Sequence, residues 1–217
     1  MKIFRICEKG ATLTFSDISE LKNGMARKTD PSAKIITATL ELAEIMPWRE
    51  VSMVNIAEAA KIRPDRLTEL FSNKVSILDA FNCQLDEKTI VEFASNKDED
   101  TTRDQLFDIL MARFDTLMPH KKAIKAILKE TIPNDPIACA HGVRALLRSM
   151  RSILELVGIR TISPIGCLKT KSLSALYLRS FKIWLDDESP DLAKTMASLD
   201  DSLAKAETYA NFLPKAD

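Results

Sequence analysis

From Asp30 onward, apolar residues recur at helical spacing. Ile35, Ile36, Thr39, Leu40 and Ala43 mark one face of a first helix. Asp30 supplies its N-cap and Pro31 its first position. It runs to about Ile45, because Pro47 cannot continue it. Ser52 caps a short helix holding Ile56, Ala57, Ala59 and Ala60. Pro64 opens another to Phe71, with Leu67, Leu70 and Phe71 as its apolar side. A long helix follows from about Lys74 to Ala94, turning Ile77, Leu78, Phe81 and Leu85 inward. After the charged loop 97–100, Thr101 or Thr102 caps a helix to about Leu117. Pro119 starts the next, and Pro133-Asn134-Asp135-Pro136 is a turn. A long helix to Val157 ends at Gly158, another runs to about Asp186, and a last one reaches about Leu213. About nine helices and no strand after residue 16 predict an all-α protein. In residues 1–29 the weak alternation allows a loose hairpin or a flexible arm, with Met25 as an alternative native start.

Composition narrows the function classes. Bases and acids balance at 31 each, so whole-chain charge names no partner. No apolar run reaches the roughly 18–20 residues of a membrane span, and the start lacks the apolar stretch of a secretion signal, so a cytoplasmic protein is expected. Cys7, Cys83, Cys139 and Cys167 form no CxxC pair and predict free, mostly buried thiols. With only His120 and His141 besides, no metal set, no cofactor motif and no nucleophile–base signature stands out, so no enzyme is expected.

The helices at 30–45, 52–60 and 64–71 carry one constellation with a mechanism. Tight turns join them, and the second and third form a helix-turn-helix. Ala57 and Ala60 suit the crossing, with Ile56, Ile62 and Leu67 beneath. The stretch from IITATLELAEIMPW through VSMVNIAEAA to LFSNKVSILDAF resembles the N-terminal domain of TetR-type transcriptional regulators. The resemblance covers about 50 residues and includes Phe71, the Ser72-Asn73 loop and Lys74. It implies an arm at 1–29, a DNA-binding domain at 30–75 and a helical ligand-binding and dimerising body at 76–217. It also implies double-stranded DNA as partner. Candidate DNA contacts are Arg27, Lys28, Ser52, Lys61, Arg63, Pro64, Arg66, Thr68 and Lys74.

The chain departs from that family's pattern. Lys61 stands where a turn glycine is usual, Arg63 where Ser or Thr is usual, and Thr68 where a Tyr is frequent. Residues 30–74 hold six bases against seven acids, a poor footprint for DNA, although 61–74 alone is +2.

The body predicts two further surfaces. Phe107, Leu110, Met111, Phe114, Leu146, Met150, Leu176 and Phe181 are expected to line a cavity for a small apolar ligand. Leu192, Met196, Leu199, Leu203, Ala206 and Ala210 form a heptad seam, expected to pair with a second copy in a homodimer. A second resemblance competes. Trp184, the acidic Ser-Pro-Asp turn, Thr195 and Leu199-Asp200 resemble the C-terminal stretch of the Coq9 family. That resemblance implies a helical lipid or isoprenoid carrier with a degenerate helix-turn-helix. Residues 190–217 carry three lysines against five acids, which argues against a membrane anchor there.

Overall fold

The structure, a computed structural model, describes residues 30–95 and 101–212, omitting the side chains of 94, 95 and 209–212. Arg27, Lys28, the 1–29 arm and the Ala210 side chain therefore lie outside the described residues. In chain order the helices are α1 (Pro31–Ile45), α2 (Met53–Ala59), α3 (Pro64–Leu70), α4 (Lys74–Ser95) and α5 (Thr102–Leu117). A 3₁₀ turn (Met118–His120) leads to α6 (Lys121–Asn134), α7 (Pro136–Leu156), α8 (Pro164–Asp186) and α9 (Ala193–Phe212). The described residues hold no strand, as the apolar periodicity predicts.

Local chemistry explains most ends. Asp30 accepts the Ser32 amide at 3.0 Å, and Asp135 accepts the Ala138 amide at 2.8 Å ahead of Pro136. Pro119 does not start a helix as expected but sits inside the 3₁₀ turn, and α6 begins at Lys121. Pro133 lies within the last turn of α6. The last helix, α9, starts at Ala193, because residues 187–192 build a capping corner described below. Cys139 and Cys167 are free, the latter exposed. Cys83 is disulfide-bonded, which corrects the expectation of a free thiol there.

Two hydrophobic clusters organise the chain. One gathers Ile35, Ile36, Leu40, Trp48, Ile56, Leu67 and Phe71 from the first three helices and their turns, and we call this region the head. Ile77 of α4 and Ala123 and Ile127 of α6 complete the same cluster. A boundary at residue 75 therefore cuts through packing, because α6 returns to close the head. The second cluster, the body, holds Ile109, Leu110, Phe114, Met150, Ile153, Tyr177, Trp184 and Leu199 from α5, α7, α8 and α9. Gly166 is needed here. A β-carbon on it would lie 2.5 Å from the Arg160 carbonyl oxygen, so only glycine lets α8 start against the preceding backbone.

Candidate nucleic-acid interface

The unit α2–turn–α3 is built from short-range hydrogen bonds. Ser52 Oγ accepts the Asn55 amide at 3.1 Å, and Asn55 Oδ1 accepts the Ser52 amide at 2.9 Å. This reciprocal pair is a capping box made with Asn in place of Glu. At the other end the Ile62 amide donates to the Ala57 carbonyl and the Lys61 amide to that of Glu58. Those two bonds define a Schellman closure, whose pivot must take a left-handed conformation. The pivot is Lys61 at φ 55°. Gly158 plays the same part after α7 at φ 83°, with Ile159 bonded to Leu154 and Gly158 to Glu155. Lys61 therefore stands where the backbone favours glycine, and its β-carbon costs about 1 kcal/mol.

The turn delivers α3 with Pro64 at its first position and Arg63 as N-cap residue, without a side-chain cap bond. Leu67 is buried and Leu70 half-buried, while Arg63, Asp65, Arg66, Thr68 and Glu69 are exposed. Three of these side chains are already engaged. Arg66 pairs with Glu69 at 2.7 Å, and the Thr68 hydroxyl donates to the Asp65 carbonyl at 2.9 Å.

Lys74 departs from the expectation of a free phosphate contact. Its ammonium donates to the Trp48 carbonyl at 2.8 Å and lies 4.5 Å from the centre of the Trp48 ring. Burial lowers its pKa, against the opposing charges of Glu130 and Asp135. Trp48 was not singled out from sequence. It ties the α1–α2 loop to the start of α4, and the Arg49 amide adds a 2.8 Å bond to Glu130 of α6.

The expected ligand residues fall in the body cluster. Leu110, Phe114 and Met150 are fully buried, and Phe107, Met111, Leu146 and Phe181 pack against them. Leu176 is half-buried on α8. The Phe114 ring stacks on Tyr177 at 5.0 Å, Trp184 at 5.8 Å and Phe181 at 6.5 Å, so these side chains occupy one another's space.

The heptad seam is corrected. Leu192, Leu199 and Leu203 are buried in their own chain against the body cluster, and among the described seam side chains only Met196 is exposed. Ala206 is half-buried. The spacing is real, but α9 spends it on α8 and α5.

Two buried polar clusters escaped the sequence reading. Arg113 is 2% exposed and ion-pairs with Asp86 of α4. It also donates to Asn82 at 2.8 Å, and the Ser149 hydroxyl donates to Asp86 at 2.6 Å. Burial opposes the Arg113 charge, but Asp86 and Tyr177 outweigh it and raise its pKa. An arginine on the apolar stripe of Ile109, Leu110, Phe114 and Leu117 was the available signal. Beside the pair, burial and then the Asp86 charge raise the Glu87 carboxyl to about 7, and its Oε1 has no partner among the described residues.

The second cluster explains the C-terminal motif. Asp187 is fully buried and accepts from the Thr195 amide at 2.9 Å, the Thr195 hydroxyl at 2.8 Å, and the amide and hydroxyl of Ser189. Burial pushes this carboxyl up, but those bonds outweigh it and hold it far below the usual range. Trp184 sits at the core, and Leu192 closes the corner at φ 53°. Trp184, Ser189 and Thr195 thus act here as parts of an α8–α9 joint.

Comparison with known proteins supports the fold. No family model matches the chain, and no curated protein matches it. A solved structure of a TetR transcriptional regulator from Nitrosomonas europaea is similar at TM-score 0.68 and 19% identity, covering 82% of this chain and 98% of that one. A TetR transcriptional regulator from a Rhodococcus strain is similar at TM-score 0.60 and 16% identity, covering 81% and 94%. At these identities the likeness establishes a TetR-like all-helical fold along most of the chain.

Proposed function

We propose that this chain is a DNA-binding transcriptional regulator of the TetR type, acting as a homodimer that lays α3 in the major groove. The observation that carries this reading is the outer row of α3. Arg63, Asp65, Arg66, Thr68 and Glu69 project from a helix that the capping box, the Schellman turn and Leu67 hold in place. None of the five is required by the core.

The chemistry of that row is mixed. Arg66 reads a guanine edge only by exchanging Glu69 for it. Asp65 and Glu69 are acceptors, which fit a cytosine amino group and repel phosphate. Lys61 and Arg63 are the exposed cations placed for backbone contacts. Affinity is therefore modest in its salt-dependent part and leans on base contacts.

The dimer surface shifts from the buried seam to the outer faces of the same two helices. Leu168, Ala175 and Leu178 are exposed on α8 beside Lys171 and Lys182. Met196 and Ala197 are exposed on α9 beside Asp200. Crossing a two-fold axis, the basic α8 face meets the acidic α9 face of the second copy. An apolar effector in the body requires the Phe114–Tyr177–Trp184 stack to part.

Selection of genomic fragments by the purified full-length protein tests the regulator reading. The expected result is enrichment of a near-palindromic site at low salt, with the preference relaxed by Arg66→Ala. Retention no better than random DNA at low salt would overturn it.

A further inference from the structure

Where the head meets the body, α1, α4 and the end of α5 leave a small cleft. Phe81 and Leu85 of α4 contribute to its apolar floor. Its rim carries Thr37 of α1, Gln84 and Lys88 of α4, and His120 of the 3₁₀ turn. Positions 81, 84, 85 and 88 share one face of α4, so a single helix supplies both floor and rim.

The rim is rich in donors. The side chains of Thr37, Gln84, Lys88 and His120 make no hydrogen bond and no ion pair with one another or with any other described residue. Among the described residues no carboxylate lines the cleft. Thr116 also borders it, but its hydroxyl proton is spent on the Ala112 carbonyl at 2.9 Å. Four unspent donors lining one cleft together with Phe81 and Leu85 suit an acceptor-only head with a short apolar tail.

We propose that this cleft binds a small carboxylate anion, its oxygens taken by Lys88 and His120 and its apolar end resting on Phe81 and Leu85. Bound there, the anion bridges α1 of the head to α4 and the 3₁₀ turn of the body. The site does not depend on the head binding DNA.

The electrostatics couple binding to a proton. Burial lowers the His120 pKa and Lys88 adds repulsion, while Glu44 of α1 opposes both. Lys121, the next residue, turns its ammonium to the Asp187 carbonyl and is not free to serve the cleft. The His120 ring stands edge-on to Phe81, with centroids 5.4 Å apart. An anion between Lys88 and His120 cancels the repulsion and favours the imidazolium. Binding therefore takes up a proton, and affinity rises as pH falls through the His120 range.

The chain has two histidines, and the exposed His141 is an internal control. Proton NMR titration of both rings, in propionate, inorganic phosphate or chloride at matched ionic strength, tests the proposal on the full chain. Propionate is expected to raise the His120 midpoint by about half a pH unit and leave His141 in place. Lys88→Gln, at an exposed position, is expected to remove that shift and weaken propionate binding about tenfold. Thr37→Val is expected to weaken binding about threefold and serves should Lys88→Gln alter the fold. Equal effects of chloride and propionate, His120 and His141 moving together, or binding unchanged by the substitutions would overturn the site. A response to phosphate without one to propionate would overturn the carboxylate assignment.

Discussion

The head around α2 and α3 and the corner around α8 and α9 are closed by the same means, hydrogen bonds at helix ends, yet they differ in how completely those bonds are made. In the corner one fully buried carboxylate receives four donors from Ser189 and Thr195. In the head the N-cap of α3 is an arginine with no cap bond, while a left-handed non-glycine pivot is common to both regions, Lys61 in the head and Leu192 in the corner. Arg66 spends its charge on its own helix. The head is instead held from outside, by Lys74 on Trp48, by Glu130 on the Arg49 amide, and by Ala123 and Ile127 of α6. The difference teaches that α3, the helix proposed to meet DNA, is the part left least determined by its own local bonds. The Asp187 carboxylate of the corner, by contrast, is held by local bonds from Ser189 and Thr195.

The largest effect that separates the two regions lies in the body. Arg113→Met leaves Asp86 buried without its partner and should cost about 3–5 kcal/mol. Adding Asp86→Leu should recover most of that loss, because the desolvated charge is then gone. Denaturant melts of the two variants check this. Equal destabilisation in the single and double variants would make the cluster a packing feature and not an ionic one.

A smaller effect is set by pH. The Glu87 carboxyl titrates near 7 in the folded chain, above its ordinary value of 4.5. The folded state therefore holds a proton that the unfolded state gives up. This contribution is complete below about pH 4.5 and is lost as pH rises through 7. Glu87→Gln should flatten the fall in melting temperature between those pH values and leave the protein more stable at pH 8.

These residues also show what sequence could and could not tell. The helices and the α2–α3 unit were legible because their signals are local: Asp30-Pro31, Ser52, Pro64 and Gly158 act within four residues of themselves. The Asp86–Arg113–Ser149 cluster was not, because its members are 27 and 36 residues apart along the chain. Periodicity showed that Leu192, Leu199 and Leu203 form an apolar row, but spacing cannot say which surface covers it. The covering surface proved to be the chain's own α8 and α5. Among the expected DNA contacts, Arg63 and Arg66 are exposed on α3, whereas Lys74 was drawn inward by Trp48, whose reach no local pattern reveals.

The smallest expected effect sharpens the head. Lys61→Gly relieves the left-handed pivot and should stabilise the protein by about 0.5–1 kcal/mol. Gly158→Lys, at the matching pivot after α7, should cost a similar amount. Thermal melts of the pair check both. A loss on Lys61→Gly would mean that the lysine stem contributes packing worth more than its strain.

Native-state hydrogen exchange, followed amide by amide in the protein alone, tests the contrast most directly. The amides of Lys61, Ile62 and Leu67 report on the α2–α3 unit, and those of Asp187, Thr195 and Leu199 on the corner. The account predicts that the α2–α3 amides exchange through local opening at several kcal/mol below the free energy of global unfolding, while the corner amides exchange only with global unfolding. Equal opening free energies in the two regions, or a corner that opens first, would contradict it.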